Sequence, residues 1–159
     1  MDGKRIQGRA GRRGRAAALA AVIVAAAGAA QPAIADEAGK ARYQFILNCA
    51  GCHQADGSGA KSGGVPTLRG QFGHFLKTAE GRAFLVQVPG TSNSSLSNGD
   101  IARMLNWMAK AFSAETVPAD FQPYTEAEVT ALRSQRLADV SAVRRGIVAQ
   151  LAAQGIRIE

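Results

Sequence analysis

Cys49-Ala50-Gly51-Cys52-His53 is the stretch on which the reading of this 159-residue chain turns. Two thiols separated by two residues, with an imidazole immediately after, have the spacing of a covalent c-type haem attachment site. The thiols add across the two vinyl groups of the porphyrin, whose separation the Cys-x-x-Cys span matches. The chain then turns so that His53 lies under the ring, where an imidazole nitrogen can reach the iron. One haem c is therefore the expected cofactor, held by Cys49 and Cys52, with His53 as its proximal iron ligand.

Other chemistries for the same residues lack partners. A thioredoxin-like pair needs a βαβ context, and no part of the sequence reads that way. Tetrahedral zinc needs further Cys or His ligands, yet the chain has two cysteines in all and only one other histidine, His74. A disulfide between Cys49 and Cys52 closes too small a loop to matter much for stability.

The formal charge of +7 invites a nucleic-acid reading, but its distribution argues otherwise. Lys4, Arg5, Arg9, Arg12, Arg13 and Arg15 all precede an Ala-rich apolar run from Ala16 to Ala30, and Ala33-Ile34-Ala35 follows. A positive region, a short apolar region and an A-x-A site describe a secretory signal peptide over residues 1–35, cleaved before Asp36. Its removal takes six basic residues and Asp2, leaving 13 basic against 11 acidic residues and a net charge of about +2. The DNA-binding reading fails there. The apolar run is also shorter than the ~18–20 residues of a spanning helix, so retention as an anchor is the lesser alternative. The expected compartment is the periplasm, where haem c is attached. Export and haem attachment agree.

From Asp36 to Asn48 the pattern predicts a helix, with Tyr43, Ile46 and Leu47 on the buried face and Lys40, Arg42 and Gln44 toward solvent. Ala55 to Gly64 is a glycine-rich loop by every local signal, suited to wrapping a flat ligand closely. Gln71 to Val88 is expected to hold a short helix and a turn. Asn98-Gly99-Asp100 opens a strong helical pattern with Ile101, Met104, Leu105 and Met108 on one face. Trp107 is expected to pack in the core. Val117 to Pro123 reads as an extended linker, Thr125 to Glu128 as a capping box, and Asp139 as the cap of a last helix ending near Gly155.

With these residues in view, the segment from Asp36 to Phe112 resembles the class I cytochromes c, the small electron carriers of bacteria. An aromatic-bearing helix precedes Cys-x-x-Cys-His, then comes Ala55-Asp56-Gly57-Ser58-Gly59, then Val65-Pro66-Thr67-Leu68-Arg69-Gly70. The resemblance implies an all-α fold of short helices and loops around one covalent haem, with a C-terminal helical extension. It also implies that the last family helix, from Asn98, crosses the first and that Trp107 lies at the crossing. Pro66 would then supply the carbonyl that fixes the tautomer of His53, an orientation that ligating imidazoles generally need. The expected organisation is signal peptide 1–35, cytochrome domain 36–113 and extension 114–159. The extension either packs back on the domain or docks a partner, and packing is the reading favoured.

The sixth iron position departs from the family pattern. A usual member carries Met-Pro in the loop before the last helix, whereas here Val88 precedes Pro89 and the loop to Leu96 holds no good ligand. Met108 is the preferred candidate; Met104, His74 or no side chain are the alternatives. A helical Met at this spacing is ordinarily core filling.

The function these readings imply is one-electron transfer between a dehydrogenase and a respiratory acceptor, without enzyme activity of its own. No catalytic acid, base or nucleophile constellation is visible, and Asp56 is first a turn residue. The alternative is a haem protein with an open sixth position that binds a small ligand or reacts with peroxide. The apoprotein is expected to fold poorly, because a glycine-rich region of ~80 residues builds a marginal core alone.

Overall fold

Two long helices meet where the sequence places its aromatic residues. In the computed structural model, which describes residues 31–159 together with Met1 and Gly3, α1 (Gln31–Asn48) packs against α6 (Asn98–Ser113). Phe45 is fully buried there, with ring centroids 5.6 Å from Trp107 and 4.9 Å from Phe112. Trp107 and Phe112 meet edge to face at 5.3 Å. Each such pair contributes about 0.5–1.5 kcal/mol beyond its burial. Polar contacts stitch the rim of the crossing: Lys40 lies 3.5 Å from Asp100, and Arg103 bridges Glu37 and Asp100.

Between these helices run α2 (Ala50–His53), a 3-10 turn (Lys61–Gly63), α3 (Phe72–Phe75), α4 (Ala79–Gln87) and α5 (Pro89–Ser92). After α6 come α7 (Glu126–Arg133) and α8 (Val140–Ala152). The described residues contain no strand, only an isolated bridge between Ala60 and Val65. The expectation of an all-helical chain holds.

Four helices share one device. Thr78, Ser97, Thr125 and Asp139 each accept a backbone N–H from three residues on, capping α4, α6, α7 and α8. Each cap contributes about 1 kcal/mol. The expected box at Thr125 is half used. Glu128 sends its carboxylate to Arg82 instead of back to the helix start.

The buried face of α1 differs from the expected one. Ala41, Gln44 and Phe45 are buried, whereas Tyr43 and Leu47 are 63% exposed. The helix is rotated because α6 offers Asp100 and the Trp107–Phe112 pair, which reward Gln44 and Phe45. Gln44, with Ser97, Arg103 and Lys40, holds the Asp100 carboxyl down at about 2.

Residues 114–159 pack back onto the helices before them, within a compact unit spanning Ala35–Glu159. Tyr124 and Val129 join the core of Phe45, Phe72, Ile101 and Leu105. Ile147 and Leu151 of α8 build a second cluster with Phe75 and Phe84. Arg82 makes a two-pronged pair with Glu128 at 2.6 and 2.7 Å, under the rings of Tyr124 and Phe121. Asn106 and the Tyr124 backbone exchange two hydrogen bonds, and the Tyr124 hydroxyl donates to the Arg82 carbonyl at 2.8 Å. The signal peptide expected over residues 1–35 lies outside the described residues, except for Met1, Gly3 and its last five positions, these five within α1.

Candidate functional site

The single turn of α2 brings the attachment residues to one face. His53 N–H donates to the Cys49 carbonyl at 3.0 Å and Cys52 N–H to the same oxygen at 3.2 Å. Positions three and four apart then project together. Both cysteines are free thiols, Cys49 half-buried and Cys52 exposed. Burial, reinforced by the neighbouring Cys52, pushes the Cys49 thiol up to about 11. Both thiols could hold a haem through thioether bonds, each of which would form by net addition of S–H across a vinyl group, sulfur to one carbon and hydrogen to the other, with no change of oxidation state overall.

His53 is held by one defined contact. Its Nδ1 lies 3.2 Å from the carbonyl oxygen of Pro66, and with the proton on Nδ1 this nitrogen donates. The other nitrogen, Nε2, then carries a bare lone pair. Burial lowers the His53 pKa, against the opposing pull of the Pro66 carbonyl. A neutral imidazole with one nitrogen pinned is the form that binds iron.

The glycine-rich loop is shaped to bring Pro66 there. Gly59 has φ +74°, and a Cβ built on it would sit 2.6 Å from the Pro66 carbonyl oxygen. Only glycine lets the two backbones approach so closely. Gly59 N–H also donates to the His53 carbonyl at 2.9 Å, and Leu68 N–H to the Gly57 carbonyl at 2.8 Å. Arg69 closes the loop from outside, donating from Nε to the Asp56 carbonyl and from Nη2 to its carboxylate, both at 2.7 Å. Asp56 itself accepts from Ser58 N–H at 3.0 Å, which makes it a turn residue in fact.

The candidates for a sixth ligand fall in three places. Met104 is buried, its sulfur 3.8 Å from that of Cys49. Met108 is buried one turn further along α6, in the main core. His74 stands on α3, half-buried, with Nδ1 out of contact with solvent and without a hydrogen-bond partner among the described residues. Its pKa is lowered by burial and by Lys77, with Glu115 opposing.

The loop that follows α5 is held by a residue far along the chain. Arg133 donates from Nε to the Ser92 carbonyl at 2.8 Å and from Nη1 to the Leu96 carbonyl at 2.8 Å and Asn98 Oδ1 at 2.9 Å. Its Nη2 reaches the Ser94 carbonyl. Sequence reasoning missed this clamp. A lone arginine near the end of a short helix carries no signal of its own, because its partners are oxygens 35 to 41 residues away. Gly59 was more legible, as the second glycine of Gly57-Ser58-Gly59.

Two free thiols, a neutral oriented imidazole and a backbone wrapped closely behind it suit a covalently held iron porphyrin. Among the described residues no group of three or more His, Cys, Asp and Glu gathers as an alternative metal site.

Comparison with known proteins agrees with this geometry. The family model described as cytochrome c matches residues 36–142. Two relatives, each called cytochrome c-552, come from Thermus thermophilus. Both are 32% identical to this chain over 112 residues, covering 59% of it. The matches span 85% and 75% of the relatives themselves. No solved structure matches.

Proposed function

Because the chain belongs to the cytochrome c family, we propose that it is a periplasmic one-electron carrier between a dehydrogenase and a respiratory acceptor. Haem c, covalently attached, is the cofactor of the family, and Cys49 and Cys52 stand where its thioether bonds form. The observation that carries the reading is the Nδ1 contact of His53 with the Pro66 carbonyl, beside two free thiols one helical turn apart. When bound, the haem iron supplies a centre that gains and loses one electron.

The chain's residues do the rest. Cys49 and Cys52 tether the group through both oxidation states. Pro66 keeps the proton of His53 on Nδ1 and so presents Nε2 as ligand. Gly59 and the Asp56–Arg69 pair hold Pro66 in position. No helix among the described residues is long and apolar enough to cross a membrane. Export is supported by the leader pattern at residues 1–35, and its mature form would start at Asp36.

For the sixth position we assign Met108. Met104 has its sulfur turned to Cys49, and His74 faces Lys77 and Glu115, which leaves Met108 as the sulfur with no other polar engagement. A second reading, an open position that binds a small ligand, draws on the absence of any sulfur or imidazole in residues 88–97. Magnetic spectroscopy of the ferric protein, compared with Met108→Ala, Met104→Ala and His74→Ala, separates these outcomes. Conversion to high-spin iron by Met108→Ala alone is expected. Rapid stoichiometric carbon monoxide binding by the ferrous wild type would replace the carrier reading with the second one.

A further inference from the structure

Resting on the haem reading above, we propose that Thr67 is a positioning residue for electron transfer. Its hydroxyl sets the orientation of the peptide that holds the His53 proton, and with it the balance between the two oxidation states. The oxygen 3.2 Å from His53 Nδ1 belongs to the planar peptide joining Pro66 to Thr67. The pyrrolidine ring fixes φ of Pro66, so that plane turns only about ψ of Pro66 and φ of Thr67. A bond made by the Thr67 side chain therefore acts directly on the direction of this carbonyl.

Thr67 makes two such bonds. Its Oγ1 donates to the Gly57 carbonyl at 3.2 Å and accepts the Arg69 N–H at 3.2 Å. The same Gly57 carbonyl takes the Leu68 N–H at 2.8 Å. Gly57 is fixed in its turn: it has φ +75°, and a Cβ built on it would sit 2.8 Å from the Phe112 ring. Contacts thus run without a gap from the aromatic crossing of α1 and α6, through Gly57 and Thr67, to the Pro66 carbonyl. The other side-chain link between the two arms of this loop is the Asp56–Arg69 pair, whose side chains are more than half exposed, so water competes for it. Thr67 is half-buried. A separation of 3.2 Å stands at the long end for N–H···O, where a small rotation of the carbonyl weakens the bond markedly. A firm bond at Nδ1 raises the basicity of the ligating imidazole, which favours the ferric state. A loosened one favours the ferrous state.

Holoprotein matured in an export-competent host provides the test, with covalent haem first verified by mass. Wild-type protein without haem would sink the underlying reading and is scored separately. Two quantities are then measured: the rate at which the His53 Nδ1 proton of the reduced protein exchanges with deuterated water, followed by NMR, and the equilibrium constant for electron exchange with a fixed redox partner. Thr67→Val keeps the shape and removes the hydroxyl. It should speed proton exchange about ten-fold and shift the equilibrium toward the ferrous form about three-fold, the order of one net hydrogen bond or part of one. Thr67→Ser should restore both values. Phe112→Leu, which frees Gly57, should move both in the same direction by less. Thr67→Ala carries the same test where Thr67→Val does not mature. Wild-type behaviour without the hydroxyl overturns the proposal, as does a serine variant that behaves like valine. So does faster proton exchange with an unmoved electron equilibrium, which would make Thr67 a purely structural residue.

Discussion

The attachment loop and the seam of the extension solve the same problem, holding irregular chain in place, by different means. From Gln54 to Gly70 the chain is rich in glycine and held mainly by backbone bonds, with Leu68 as its one buried large side chain. From Val117 to Arg133 the chain is held by side chains: Arg82 on Glu128 and two aromatic rings, Asn106 on the Tyr124 backbone, Arg133 on the α5–α6 loop. The difference follows from what each region faces. A loop beside a tethered cofactor can borrow order from the bound group, whose burial is worth about 25 cal/mol per Å2. A segment facing only protein must bring its own contacts.

Removing the tether should break the comparison most completely. The double variant Cys49→Ala/Cys52→Ala is expected to lose all covalent haem. Exported protein should be colourless, with a weak near-ultraviolet spectrum and no cooperative melt. A native-like melt in that variant would show that the loop does not depend on the cofactor.

On the other side, Arg82→Met leaves Glu128 without its partner in a half-buried site, at a cost of about 3 kcal/mol. Chemical denaturation of the holoprotein should show this, with the Soret absorption of the folded state unchanged. Arg133→Ala follows at about 2 kcal/mol, the order for leaving carbonyls unpaired. Arg133→Lys should recover less than half of that loss, because an ammonium cannot reach four acceptors at once.

The smallest effect is expected at the α1–α6 rim. Asp100 titrates at about 2 in the folded protein, below the ordinary carboxylate range. Its contribution is therefore complete above about pH 4 and lost as the pH falls through 2. Asp100→Asn should lower Tm at pH 7 and approach wild type near pH 2. A full difference that persists at pH 2 would assign the effect to shape rather than charge.

Much of this was legible because some signals are local. Cys49, Cys52 and His53 lie within five residues, so spacing alone declares their chemistry. Thr125 and Asp139 cap the helices they precede, since a cap is written in adjacent residues. The rotation of α1 was not legible: Tyr43 and Leu47 are more apolar than Gln44, and only the partner surface on α6 makes Gln44 the better buried residue. Glu128 also fits a capping box by sequence, yet Arg82, 46 residues earlier, claims its carboxylate. Long-range polar pairs of this kind leave no periodicity to read. Pro66 was found through resemblance to a family, not through any property of its neighbours.

The Arg133 clamp has a kinetic consequence. Three carbonyls and one amide oxygen converge on a single guanidinium, so the segment from Ser92 to Asn98 moves as a unit or not at all. A surrounding that keeps its shape when charge arrives or leaves has a small reorganisation energy. A redox centre bordered by such a medium exchanges electrons quickly at modest driving force, whichever protein stands on the other side.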